Sequence, residues 1–168
     1  TVYGVSPRLR LDLVVNEFVW QALTHNKIIL KSSGEAWRPF VHIDDICRVI
    51  ICSVAAEPTA EYRIFNIVPS GENYQILEVA HKITALLPDC ECVILEDSQH
   101  DTRCYQVSGE AWLQAMPDFQ YQWQLVTGIK DMLTHCRFDN VNSNFYRLSQ
   151  LQMLRSSGQL DQSFHWDR

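Results

Sequence analysis

Residues 38–56 run from a short β-rich segment, "RPFVHI", across two aspartates into a helix-period stretch, "ICRVIICSVAA". Ile46, Val49, Ile50, Ile51 and Val54 leave that helix apolar on most of its faces, so it requires burial on more than one flank. A helix of this kind is satisfied between layers, and a strand feeding directly into it is the unit from which α/β folds are built. Asp44 or Asp45 stands where a cap is needed, and Pro58 closes the stretch. Arg38, directly before the strand, is open to two interpretations. It is an ordinary surface charge at a strand end, or it is placed to meet an anion in a cleft.

The alternation continues on both sides. "LDLVVNEFVWQALTH" (11–25) sets Leu11, Val14, Val15, Phe18, Val19 and Ala22 at helical spacing, with Asp12 and Glu17 near its start. "KIIL" (27–30) then reads as a short strand and "SSGE" (32–35) as a turn. Pro39 falls near the beginning of the strand in "RPFVHI", where its missing N–H does least harm. "YRIFNIV" (62–68) is rich in β-formers and is closed by "PSGEN". Residues 75–87 form an amphipathic helix, with Ile76, Val79, Ala80, Ile83 and Leu87 on one stripe. "ECVIL" (91–95) and "RCYQV" (103–107) read as strands, and "GEAWLQAM" (109–116) as a short helix ended by Pro117. Residues 125–138 and 144–154 read as further helices, and there is no internal repeat. The expected class is α/β, with strands too few and too dispersed for a complete doubly wound domain. The expected organisation is a single domain over 1–168 with a C-terminal helical tail over 140–168.

Composition narrows the partners. The chain has 168 residues and is 46% hydrophobic, enough for one core. It has no apolar run of the roughly 18 residues that a membrane span needs. A net charge of −6 with scattered arginines argues against nucleic acid as a partner. The first residues lack the order of a signal peptide, and the chain opens on Thr1, so a processed or truncated chain is expected. Cys47, Cys52, Cys90, Cys92, Cys104 and Cys136 lie mostly inside apolar periodic segments, where a thiol behaves as a small hydrophobe. "CEC" at 90–92 has no second Cys/His pair at zinc-finger distance. Free thiols in a reducing cytoplasm are therefore expected, ahead of disulfides or a metal.

The segments "TVYG", "DLVVN", "RPFVHIDDI", "FNIV", the spaced set Asp101, Arg103, Tyr105 and Val107, and the terminal "FYRLSQLQMLRSSGQLD" occur in order along the chain. Together they resemble the C-terminal half of the extended short-chain dehydrogenases/reductases, the NAD(P)-dependent nucleotide-sugar epimerases and dehydratases. The resemblance runs from Thr1 to about Leu160. It implies a Rossmann-type enzyme of which this chain is the substrate-binding portion, with the N-terminal cofactor-binding part missing. The family's glycine-rich cofactor turn does not occur here. Nor does its catalytic Tyr-x-x-x-Lys, since Tyr3, Tyr62, Tyr74, Tyr105, Tyr121 and Tyr146 all lack a lysine four residues on. In the family both elements precede the position of Thr1. NAD or NADP is accordingly expected in the complete enzyme and not on this chain alone, which is not expected to catalyse by itself.

The resemblance also places ligand residues. Arg38 falls where the family carries an arginine that reaches the diphosphate, a planar guanidinium forking onto phosphate oxygens. Arg103 matches a second such arginine, and Tyr105, two residues on, shares its face in a strand; the alternative for Tyr105 is core packing. Asp101 orients Arg103 or merely caps a turn. Backbone N–H groups near Leu13 match a helix start offered to the nucleotide. Ile29 and Lys31 align with the stretch that meets the base. Thr1 stands where many relatives have an asparagine that bonds the substrate phosphate, and it keeps one hydroxyl but loses the amide's paired donor and acceptor. "RPF" replaces the commoner "RDF", which removes a carboxylate beside Arg38. His42 is expected to make a structural hydrogen bond rather than to catalyse, and the remaining histidines form no ligand pattern. Asp44 and Asp45, adjacent at a strand–helix junction, are expected to cap rather than to act as an acid–base pair.

Two functions of different class follow. The first is a nucleotide-sugar-binding lobe of an epimerase or dehydratase. The second is a non-catalytic interaction fragment that packs against a partner chain. Convergence of Arg38 and Arg103 on one cleft favours the first. An exposed apolar surface on 45–56 and 62–68, suited to homo-oligomer formation, accompanies the reading as a fragment.

Overall fold

The structure is a computed structural model and describes residues 1–56, 63–95, 103–138 and 145–165. Its elements run β1 (Val2–Tyr3), α1 (Val14–His25), β2 (Lys27–Leu30), β3 (Trp37–Pro39), β4 (Val41–His42), α2 (Ile43–Ala55), β5 (Asn73–Gln75) and α3 (Ile76–Thr84). β6 (Glu91–Ile94), α4 (Glu110–Ala115), α5 (Leu125–His135) and α6 (Arg147–Ser156) follow.

α1 presents Val15, Phe18, Val19 and Ala22 inward, the stripe that its spacing predicts. It stops at Asn26, whose left-handed backbone (φ 49°) lets its N–H reach the Ala22 carbonyl. The chain turns there directly into β2, which pairs in parallel with β6, Ile28 opposite Cys92 and Leu30 opposite Ile94. α3 is the return helix of that crossover. Its start is tightened by the Gln75 N–H donating to Glu78 Oε2 at 2.8 Å. Ile28, Leu30, Val79, Ala80, Ile83, Leu125, Ile129 and Met132 close one core around α1.

The β-run over 38–43 is two strands rather than one. β3 pairs antiparallel with β5, Arg38 opposite Tyr74. At Phe40 the chain changes partner, and β4 pairs in parallel with β1, Val41 opposite Val2. Pro39, which has no N–H to donate, stands at the crossing. The Phe40 N–H still donates to Glu72 O at 2.8 Å, and the next N–H, from Val41, donates to Thr1 O at 3.0 Å.

Two expected strands are not formed. Residues 63–68 form no strand and pair with none among the described residues. Phe65 and Ile67 instead lean on a second core made by Val49, Trp112 and Phe119. Residues 103–107 also form no ladder among the described residues. The Tyr105 N–H donates to the Trp37 carbonyl at 3.3 Å. Side chains also hold the segment, Arg38 at the Arg103 carbonyl and Asn73 at Val107. Asn73 Nδ2 donates to Val107 O at 3.0 Å, and Asn73 Oδ1 accepts from the Val107 N–H at 2.9 Å. β-propensity describes one chain, whereas a ladder also needs a backbone neighbour.

Capping of α2 falls to a residue other than the two aspartates. The N-cap is His42, whose Nδ1 accepts from the Asp44 N–H at 3.3 Å. Asp45 is wholly buried and accepts from the Gln122 and Trp123 N–H groups, each at 3.0 Å, while Arg48 pairs with it at 2.8 Å. Asp44 points to solvent, so the two carboxylates do diverge. α2 buries Asp45 and Val49 but leaves Ile50, Ile51 and Val54 57%, 66% and 82% exposed. All six cysteines are free. Burial pushes the thiols of Cys90, Cys92 and Cys136 up, the last to about 11, which favours their protonated form. Among the described residues no helix is long and apolar enough to cross a membrane, and no three His, Cys, Asp or Glu side chains gather as a metal site.

Candidate functional site

A cleft of about 310 Å3 opens between the α1–β2 corner and segment 103–107. That volume lies at the lower end of small-molecule sites. β2 and the turn after it contribute Ile29, Leu30, Lys31 and Ser32; α1 contributes Val14, Glu17 and Phe18. β3 contributes Arg38, segment 103–107 contributes Arg103 and Tyr105, and Thr1 and Ile76 complete the lining. The cleft thus gathers Thr1, Ile29, Lys31, Arg38, Arg103 and Tyr105 from the residues expected to meet a ligand. Leu13 sits apart. It lines a second cleft of about 290 Å3 with Tyr3, Gly4, Arg8, Arg10 and Asn16, and it is the N-cap residue of α1, whose next residue, Val14, faces the first cleft. Asp101 lies outside the described residues.

Arg38 is only 7% exposed. Its Nη1 donates to the Trp37 carbonyl at 2.6 Å and to the Arg103 carbonyl, and its guanidinium carbon lies 5.0 Å from the centre of the Tyr105 ring. Such contacts fix the plane of the guanidinium and tie it to the segment that carries the second arginine. Arg103 and Tyr105 are exposed at the rim, two residues apart and both lining the cleft. Tyr105 does not pack in the core. Three cations, Lys31, Arg38 and Arg103, therefore line one cavity of an otherwise acidic chain.

Glu17 is a member of the cleft that the periodicity of α1 does not mark as special. Its Oε1 accepts from Lys31 Nζ at 2.9 Å and from Gln21 Nε2 at 3.2 Å. Gln21, 7% exposed, uses its Oε1 to accept the Ile29 N–H at 2.7 Å, which anchors β2 to α1. The signal in the sequence is the i, i+4 spacing of Glu17 and Gln21 on one helix face, followed at once by a strand. Asn73, which holds segment 103–107 in place, carries no signal beyond its place in a turn-rich stretch.

The histidine and aspartate of "VHIDD" hold the fold. His42 stacks on Trp123 with ring centres 4.1 Å apart and meets the Tyr3 ring edge-on at 5.3 Å. Accepting from Asp44 at Nδ1, it carries its proton on Nε2, which finds no partner among the described residues. Burial depresses its basicity, against weaker opposition from Asp44, Asp131 and Asp45. Gly4 explains the "YG" pair. Its φ is +120°, and a Cβ there would lie 2.5 Å from His42 Nε2.

Residues 1–68 match the model of the NAD dependent epimerase/dehydratase family. The chain therefore carries part of such a region. Its fold is similar to that of UDP-glucuronic acid 4-epimerase from Bacillus cereus, solved with UDP-glucuronic acid and NAD, at 19% identity and a TM-score of 0.65 over 78% of this chain and 41% of that one. It is similar to a GDP-L-fucose synthetase from Naegleria fowleri bound to NADP, at 17% identity and a TM-score of 0.67 over 79% and 43%. It is also similar to L-threonine dehydrogenase from Phytophthora infestans, at 18% identity and a TM-score of 0.62 over 79% and 44%. The chain spans less than half the length of each of these structures. The last of them is not named for a sugar nucleotide, so fold alone does not name a ligand.

Proposed function

We propose that the cleft binds the diphosphate of a nucleotide sugar, and that this chain is the substrate-binding lobe of an NAD(P)-dependent epimerase or dehydratase. The observation that carries the proposal is the convergence of Arg38 and Arg103 on one cavity, with Arg38 held rigid at its base. A diphosphate spreads its charge over several oxygens, and forked guanidinium groups on fixed mounts meet that geometry well. Tyr105 closes the rim beside Arg38, and the Thr1 hydroxyl supplies a further polar group. NAD or NADP belongs to the complete enzyme in this reading, since the chain has neither the glycine-rich turn nor the Tyr-x-x-x-Lys pair.

Calorimetric titration with UDP, dTDP, CDP and GDP tests this. Binding of at least one nucleotide is expected, weakened on the order of 10- to 100-fold by Arg103→Ala, the loss of one or two charge-assisted hydrogen bonds. Arg103 is exposed, so its loss disturbs packing less than the loss of the buried Arg38. Arg38→Ala should abolish binding, but it also frees the Trp37 and Arg103 carbonyls and is the less clean of the two. No affinity for any of the four nucleotides would overturn the proposal.

A second reading has an observation of its own. Cys47, Ile50, Ile51 and Val54 form an exposed stripe at helical spacing on α2, and Ile64 is 79% exposed nearby in sequence. A surface of that kind suits packing against another chain, including a second copy of this one. The two readings are compatible, because the stripe and the cleft are lined by different residues.

A further inference from the structure

We propose that the α1–β2 side of the cleft reads the Watson–Crick edge of a guanine through Lys31 and Glu17. The inference rests on the reading of the cleft as a nucleoside diphosphate site and deepens it by naming the base.

Lys31 Nζ and Glu17 Oε1 stand 2.9 Å apart in the lining, a donor immediately beside an acceptor. Guanine presents, in a row, the O6 acceptor and the N1–H and N2–H donors. An ammonium facing O6 and a carboxylate facing N1–H and N2–H is the matching order, and the carboxylate accepts both donors as a fork. Uracil and thymine present acceptor, donor, acceptor, so one carbonyl would lie against the carboxylate oxygen. Cytosine and adenine offer a single exocyclic amine next to a ring acceptor and leave one of the two protein groups opposed or unmatched. A buried or half-buried polar group left unmatched discriminates strongly, because its desolvation is not compensated.

The two side chains are unequally placed in a way that suits this role. Lys31 is 73% exposed and can swing, whereas Glu17 is 22% exposed and is held by Gln21, itself fixed on the Ile29 N–H. Ile29, 36% exposed on the same side, offers an apolar surface for the ring. Without ligand the pair satisfies itself, and an exposed ion pair of this kind adds little stability, so its exchange for a base is nearly free of cost. The plain alternative is a surface ion pair that only pins α1 to β2.

The test is calorimetric titration of the full chain with GDP, IDP, UDP, dTDP, CDP and ADP, repeated on Glu17→Gln and Lys31→Met. GDP is expected to bind on the order of 10- to 100-fold more tightly than UDP, the discrimination of one good paired contact. IDP, which lacks the N2 amine, should fall between them with no change to the protein. Glu17→Gln should bring GDP and UDP to similar affinities, because guanine loses its carboxylate fork while the uracil carbonyl no longer faces a carboxylate; Lys31→Met should weaken GDP and IDP alike. GDP binding no tighter than UDP, or an unchanged GDP affinity in Glu17→Gln, would overturn the guanine assignment while leaving the diphosphate site standing. Absence of binding by every nucleotide would remove the site and the assignment together. If Glu17→Gln fails to fold, the GDP-to-IDP comparison on the unaltered chain still decides.

Discussion

At the scale of single residues, His42 shows how a motif that looks chemical can be architectural. Its ring lies between Trp123 and Tyr3, caps α2 and forbids a side chain at position 4. Because burial lowers its folded-state basicity below the usual value of 6.5, the unfolded chain takes up the proton first as pH falls. The stability contributed by the neutral ring is therefore complete above about pH 6.5 and is lost as pH drops from there toward the folded-state value. Denaturant unfolding between pH 7.5 and 5.5 should show falling stability, and His42→Gln should flatten that slope. The comparison with the variant is needed because Glu72 acts in the opposite sense. Burial raises its carboxyl above the ordinary value, so its own contribution is present at low pH and declines as pH rises past 4.5. A wild-type slope indistinguishable from that of His42→Gln would contradict the account.

At the scale of elements, what the sequence predicts well is whatever local pattern decides. α1, β2, α3, β6 and α5 follow from spacing, turn residues and length, because each has an apolar face and a neighbour in this chain to cover it. Segments 63–68 and 103–107 do not follow, because a strand is a relation between two backbones and propensity describes one. The same limit hides Asn73, whose amide occupies the place of a whole strand residue beside Val107. Asn73→Ala should cost about 1–2 kcal/mol, the removal of a two-bond clamp, and should loosen the segment that carries Arg103 and Tyr105. Faster hydrogen exchange at the Val107 amide, with an unchanged rate for the Ile29 amide on β2, would be the signature. The cleft residues were divided in the same way. Arg38 and Arg103 stand out through their surrounding motifs, whereas Glu17 reads as one more acid at a helix start until β2 folds back and brings Lys31 to it.

At the scale of the whole molecule, the apolar stripe on α2 is the main departure from a self-sufficient domain. Ile51→Glu should change stability by no more than about 0.5 kcal/mol, since that side chain is already 66% exposed. It should, however, reduce concentration-dependent association in sedimentation velocity; an unaltered chain that stays monomeric at every concentration would remove the interaction reading. The strand pairings have a kinetic consequence. Val2 pairs with Val41, Lys27 with Glu91 and Trp37 with Gln75, so every ladder in the described structure joins distant parts of the chain. Two of the ladders are parallel, and there is no hairpin among them to form early. Loop closure must be paid in full before any strand gains a partner, which places sheet formation late and makes it slow compared with the helices. The cleft is assembled from α1, β2, β3 and the segment beside Asn73, and so comes into being only with the last of these closures. A partly folded chain can be rich in helix and still have no site at all.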